Sequence, residues 1–243
     1  NLRHISHHDI SEEYNSQLIR HSFVLVLFFV IAFSFIITQD GAQLQAASSI
    51  IQHSSVESSA NSVTLSIPVS STGSGNLIVV GIASKDTRTV TGVTDGTSNF
   101  TQATGAFSTN NGLSTDFWYL LSSNSGKTSI TVTFSGSPST FLKVANIWEV
   151  SGLGTPSFES ASGIAGTGSG TTDTGASVTT ASTNNFVVGE ILTPAYISSN
   201  PAVGNAFSSG GDRSPGFDAG GVSLLTSSSG TFTPVWTDGN PDR

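Results

Sequence analysis

The chain has 243 residues, only 10% of them charged, with 8 basic against 16 acidic residues and neither Cys nor Met. That length supports one or two domains with a sizeable core. The lack of Cys excludes a disulfide framework, a thiol nucleophile and Cys-ligated zinc. The acidic balance, without any Lys/Arg cluster, speaks against nucleic acid.

Residues 1–22 read as a leader holding four of the five histidines (His4, His7, His8 and His21) and are set aside from the fold. Phe23 to Ile37 is a 15-residue apolar run behind Arg20 and His21. A spanning helix needs about 20 apolar residues, whereas a signal-peptide core needs about 7–15. Leu44 and Ala46 stand at the positions read by a signal peptidase cutting after Ala46. Residues 23–46 are therefore expected to be a helical signal peptide, with a retained membrane anchor as the alternative. The remainder is expected to be secreted or displayed at the cell surface. After Ala46 there are 12 acidic and 6 basic residues. This charge favours solubility and restricts any membrane contact to the N-terminal segment.

From Ser49 onward, short apolar or alternating runs are separated by Ser, Gly, Asn and Asp. Ser62 to Val69 places Val63, Leu65, Ile67 and Val69 on one face, the period-2 signature of a half-buried strand. Asn76 to Ala83 is continuously apolar, as in a strand buried on both faces. Thr128 to Ser135 alternates again, and Leu142, Val144, Asn146, Trp148 and Val150 line one side of a further strand. Strands are also predicted at 50–56, 88–94, 98–104, 115–122, 156–162, 176–180, 186–192, 202–208, 221–226 and 231–236. Asp95-Gly96, Asn111-Gly112, Ser125-Gly126, Ser229-Gly230 and Asp238-Gly239 supply the turns between them. No sustained helical period appears after Ala47.

The fold expected over 49–243 is all-β, an antiparallel β-sandwich of jelly-roll type. Two tandem Ig-like sandwiches are the alternative. Asn76 to Ile82 (NLIVVGI) is echoed by Asn185 to Ile191 (NFVVGEI), at a spacing longer than any solenoid repeat. Two halves divided near the Gly/Ser/Thr-rich stretch 162–175 are one explanation, and independent convergence on a core strand after a turn is the other. The sequence stops just after the strand-like run Thr231 to Trp236, so a further C-terminal strand is expected.

Four features share a pattern with known proteins: Asn76 to Val80, Val93-Thr94-Asp95-Gly96 with Asn99, Phe117-Trp118-Tyr119, and Thr131 to Phe134. Through them the chain resembles a loose class of secreted, Ser/Thr/Gly-rich prokaryotic β-sandwich domains of surface proteins. The resemblance implies surface exposure, with adhesion or glycan binding, and no particular activity.

No catalytic residue is expected. A Ser-His-Asp triad needs a histidine base. After the leader the only histidine is His53, within the first strand, where an ordinary strand role is expected. Glycosidases need two facing carboxylates. No Glu/Asp pair falls at i and i+2 or i+4 on one strand, and Glu149 with Glu190 is the pair to test across strands. No cofactor is expected either. Calcium is the one ion that the turn oxygens of Asp95, Asn99 and Asp238 suit, although none has EF-hand spacing. Sugar-binding sandwiches stack aromatic rings on pyranose faces. Alternation sends Phe117 and Tyr119 to one face and Trp118 to the other, so one set is expected in the core and one on an open sheet face. Trp118, Tyr119 and Tyr196, with Asp95 and Asn99, are the candidate ligand contacts, while Trp148 and Trp236 are expected in the core.

The expected role is thus structural, adhesive or carbohydrate-binding, with glycans or neighbouring surface proteins as partners. A carbohydrate-active hydrolase or lyase, and a filament or surface-layer subunit, are the alternatives.

Overall fold

The computed structural model describes residues 47–86, 88–110, 112–164, 172–193, 197–199, 208–210, 213–214 and 217–238. The expected signal segment, and the expectation of a further C-terminal strand, lie outside these residues. Among those described the chain is all-β, and every strand pair is antiparallel, as in a β-sandwich.

The first strands are β1 (Ser49–Ser58), β2 (Thr64–Pro68), β3 (Leu77–Ser84), β4 (Val90–Thr94), β5 (Thr101–Gln102) and β6 (Ser108–Asn110). β7 (Leu113–Leu120), β8 (Ser129–Phe134) and β9 (Lys143–Ser151) follow. After residue 164 come β10 (Thr172–Thr174), β11 (Val178–Thr180), β12 (Asn185–Thr193), β13 (Ile197–Ser199) and β14 (Ser208–Gly210). The last are β15 (Arg213–Ser214), β16 (Phe217–Thr226), β17 (Gly230–Phe232) and β18 (Val235–Asp238).

A central sheet has the order β1-β9-β3-β7-β5, with β6 also on β7. One face is covered by the sheet β2-β8-β4. Leu65, Ile67, Ile78, Val80, Ile82, Ile130, Val132, Phe134 and Ile147 fill the space between them. The alternating burial of β2 and β8 follows from having one covered face. The other face of the central sheet packs on the sheet β12-β16-β14, to which β15 is added. Leu77, Val79 and Val150 meet Phe186, Val188 and Leu225 there, and Ala83 and Val144 meet Ala219 and Leu192. β3 is buried along its whole length because both of its faces are covered. Contact on both faces explains its unbroken apolar run. The far side of β12 and β16 is packed by Val178, Phe232 and Trp236 of the pairs β11-β17 and β10-β18-β13.

The second group of strands repeats the pairing of the first. β3 pairs β7 as β12 pairs β16, and β8 lies between β2 and β4 as β18 lies between β10 and β13, with β17 pairing β11 alongside. Ile78 and Ile82 point into one core, and their counterparts in the echoing run, Val187 and Ile191, point into the other. Leu120 to Gly126 (LLSSNSG) leads out of β7 as Leu224 to Gly230 (LLTSSSG) leads out of β16.

Several sequence expectations are corrected. Residues 156–162 form no strand but an irregular strap. Pro156 lacks an N–H, and Glu159 and Ser160 direct their side chains to the backbone of 179–182 instead of a ladder. The strand expected at 98–104 shrinks to Thr101–Gln102, bounded by the Asp95 turn and by Gly105 at φ 94°. Of the strand expected at 202–208, residues 202–207 lie outside the described residues. The short β6 has no counterpart in the sequence reading.

Candidate functional site

β7 supplies Phe117 and Tyr119 to the face of the central sheet that meets β12, and Trp118 to the opposite face. A second sheet packs on each side, and Phe117, Trp118 and Tyr119 are each left partly exposed. Trp118 packs against the first core, and its indole N–H donates to Asp116 Oδ2 at 2.9 Å. Burial pushes the Asp116 carboxyl up, against the hydrogen bonds from Trp118, the Phe117 N–H and Gln102.

Tyr119 instead forms part of a groove. Beside β12 lies a space of about 380 Å³, within the range of small-ligand pockets. Its floor includes Ala103, Ala106, Phe117 and Tyr119, one wall is Asn185 to Val188 of β12, and the other is the strap 155–162. Phe158 of the strap stacks on Tyr119, with centroids 5.2 Å apart and planes 5° apart, while remaining 39% exposed. Glu159 anchors the strap by accepting hydrogen bonds from the N–H groups of Ala181 (3.0 Å) and Ser182 (3.2 Å). Ser182 also leads the interactions that hold its carboxyl below the usual range. Ser160 Oγ donates to Thr179 O at 3.0 Å. Thr180, Ser182, Thr183 and Asn184 give the rim its polar groups. Asn184 adopts φ 60°, unusual for a residue with a side chain.

The remaining candidates do not join Tyr119. Asp95 sits in the turn after β4, its Oδ1 accepting from the N–H groups of Thr97 and Ser98, while Oδ2 is buried without a hydrogen-bond partner. Asn99 is exposed and bridges Thr94 through the backbone. Tyr196, and the side chain of Asp238, lie outside the described residues. Among the described residues no three His, Asp or Glu side chains gather as metal ligands.

A polar cluster lies between the central sheet and β12-β16. Asn146 Nδ2 donates to both oxygens of Glu190, at 2.9 and 3.0 Å. Glu190 as a residue keeps some exposure, but its carboxylate is enclosed by Gly81, Phe117 and Asn146. Burial pushes that carboxyl up to about 8, and the Asn146 hydrogen bond opposes the rise. His53 stacks on the buried Trp148 at 5.1 Å, and burial pushes its imidazole below the ordinary range. Glu149 extends from the other face of β9, where Gln52 Nε2 (2.5 Å), the Gly73 N–H (2.7 Å) and Asn76 Nδ2 (2.6 Å) donate to it. Glu149 and Glu190 therefore stand on opposite sides of the central sheet, and the carboxylate pair a glycosidase needs is not assembled from them.

Sequence reasoning reached Tyr119 but missed the strap, Phe158 and the Asn146–Glu190 contact. A polar residue within each of two apolar runs was the available signal for the last. No family model, curated protein or solved structure matches the chain.

Proposed function

We propose that the chain is an exported, surface-exposed β-sandwich module with an adhesive or structural role, holding its ligand non-catalytically in the groove between Tyr119 and β12. The observation that carries this reading is the groove itself: an aromatic floor, a polar rim, and Glu159 as the one lining carboxylate among the described residues, already engaged with the backbone. Export is supported by the apolar run at 23–37. Two small sandwiches set back to back describe the repeated pairing better than a single jelly roll does.

Among small ligands, carbohydrate suits a ring-lined groove with hydroxyl and amide groups at its rim. A glycan array probed with the wild-type chain and with Tyr119→Ala and Phe158→Ala tests this. Binding lost in both variants supports the carbohydrate role, and no binding, or binding that neither change affects, overturns it. A second reading, a filament or surface-layer subunit, is favoured by the open edge of β12, whose pairing among the described residues is with β16 alone.

A further inference from the structure

Asn146 is 0% exposed and stands between two ionisable side chains, His53 of β1 and Glu190 of β12. Its Nδ2 donates to both Glu190 oxygens, while its Oδ1 is buried without a well-formed hydrogen bond. On the other side the amide meets the His53 imidazole, and that contact favours the protonated ring against the effect of burial. His53 itself reaches solvent, with its ring laid on Trp148. Among the described side chains, the other ionisable groups on this face of the packed strands are Glu57 of β1 and Tyr119 of β7. β3, β9 and β16 place Gly81, Asn146 and Gly221 beside Glu190, and none of these can ionise.

The two protonation states of Glu190 need different partners. An ionised carboxylate only accepts, so the N–H contacts from Asn146 satisfy it. A protonated carboxyl carries one O–H, which beside Nδ2 would set donor against donor. Burial keeps the Glu190 carboxyl protonated up to about pH 8. Of the groups that enclose it, Gly81 lies in a strand paired on both sides, and the Phe117 side chain accepts nothing. The acceptor left over is Asn146 Oδ1. Turning the amide by about 180° about its last side-chain bond brings Oδ1 to the O–H and Nδ2 to His53. The two ends of the amide are nearly alike in size and shape, so the turn needs no repacking.

We propose that Asn146 is a two-position amide switch that carries the protonation state of Glu190 to the ring of His53. With Glu190 ionised, Nδ2 holds the carboxylate and Oδ1 accepts from the near N–H of His53. The far ring nitrogen is then a bare acceptor. With Glu190 protonated, its O–H donates to Oδ1, and Nδ2 donates to the near nitrogen of the neutral ring. The far nitrogen then carries the proton and is a donor. The hydrogen bond made by one imidazole nitrogen decides which of the two is protonated. His53 therefore offers an acceptor above about pH 8 and a donor below it, until the ring itself charges. No proton crosses Asn146, because Glu190 and His53 each exchange with solvent. The coupling is reciprocal: an ionised Glu190 favours a charged His53 as much as the reverse. None of this depends on what the groove beside Tyr119 binds.

The test is nitrogen-15 NMR of the full chain with labelled histidine, from pH 5.5 to 9.5. Long-range couplings report which ring nitrogen carries the proton, and His53→Gln identifies the signal among those of the five histidines. The neutral ring should reverse its tautomer preference with a midpoint near pH 8, the tautomer ratio changing at least about fivefold. Charging of the ring should follow separately, below pH 6.5. Glu190→Gln should abolish the step near pH 8 and keep the lower one. Asn146→Leu, of similar size and without hydrogen bonds, should do the same, with circular dichroism as the folding control.

A ring that keeps one tautomer between pH 7 and 9.5 in the unaltered chain overturns the switch, whether or not the variants fold. So does a step near pH 8 that survives in folded Glu190→Gln. A step lost in Glu190→Gln but kept in folded Asn146→Leu would show Glu190 acting on His53 by its charge alone, which removes Asn146 from the path and overturns the proposal too.

Discussion

Gly81 of β3 and Glu190 of β12, which hold the same place in the two echoing runs, face each other between the two sheets, and a Cβ built on Gly81 would stand 2.8 Å from Glu190 Oε2. It would also lie 3.0 Å from a ring carbon of Phe117. Glu190 is fixed by both of its hydrogen bonds to Asn146 and cannot swing aside without losing them. Gly81→Val is therefore expected to destabilise the fold by about 1–3 kcal/mol through overpacking. Glu190→Ala in the same chain should recover at least half of that loss. Denaturant midpoints of the two single variants and the double variant measure the coupling. Additive losses would show that the two residues do not compete for this space.

The same carboxylate makes stability depend on pH. Its folded pKa is raised from 4.5 to about 8, so the folded state holds a proton that the unfolded state releases. The favourable contribution is complete below pH 4.5 and is lost as pH rises toward 8. The shift bounds the loss at about 5 kcal/mol, and the partial exposure of the residue lowers it to roughly 1–3 kcal/mol. His53, whose pKa is depressed, acts in the other direction, with stability falling as pH drops below 6.5. Melting curves between pH 6.5 and 8.5 therefore isolate Glu190. Glu190→Gln should flatten the decline and raise stability at pH 8.5. Its amide offers a donor to Asn146 Oδ1, which is buried without a well-formed hydrogen bond.

The strands of the first core were legible because each carries its own pattern. Leu65 and Ile67 of β2, and Ile130, Val132 and Phe134 of β8, alternate with polar residues and face one core. The run at Leu77–Ser84 has no alternation, which marks burial on both faces, although not what covers them. The groove was not legible, because it depends on how the strap at 155–162 packs across from β12, which is a tertiary property. Phe158 was hidden for a related reason. A short apolar-polar segment reads as a strand unless Glu159 and Ser160 are known to bond the backbone of 179–182. Glu190 and Asn146 left a fainter trace, each a polar residue inside an apolar run, where a buried partner is required.

Glu149 tests how much a fully satisfied buried carboxylate contributes. It is 0% exposed and accepts hydrogen bonds from Gln52, Gly73 and Asn76, joining β1, the turn before β3, and β9. Glu149→Ala removes the acceptor and leaves those donors facing a cavity. Unpaired buried donors cost about 1–3 kcal/mol each where water cannot reach them. A loss of about 3 kcal/mol in urea denaturation is expected, with Glu149→Gln recovering part of it. A loss under about 1 kcal/mol would mean that water re-satisfies all three donors.

Lys143 poses the complementary problem of a buried cation. It is 0% exposed, and its ammonium donates to the carbonyls of Ala60 (2.8 Å), Ser62 (3.1 Å) and Phe141 (3.3 Å), with the Phe141 ring 4.0 Å away. Three carbonyls and an aromatic face surround the charge where a carboxylate would be the usual partner. Two of those carbonyls belong to the connection between β1 and β2, so Lys143 fixes that connection to the start of β9. Lys143→Met keeps most of the volume but leaves the carbonyls unpaired, and should cost about 2–4 kcal/mol. Lys143→Arg should not restore stability, because a planar guanidinium cannot converge on three carbonyls from the space of an ammonium. Amide exchange between Ser58 and Thr64 should quicken in both variants before global unfolding does. Unchanged exchange there would show that the connection is held by its own turn, for instance by Ser62 Oγ accepting from the Thr64 N–H, rather than by the buried lysine.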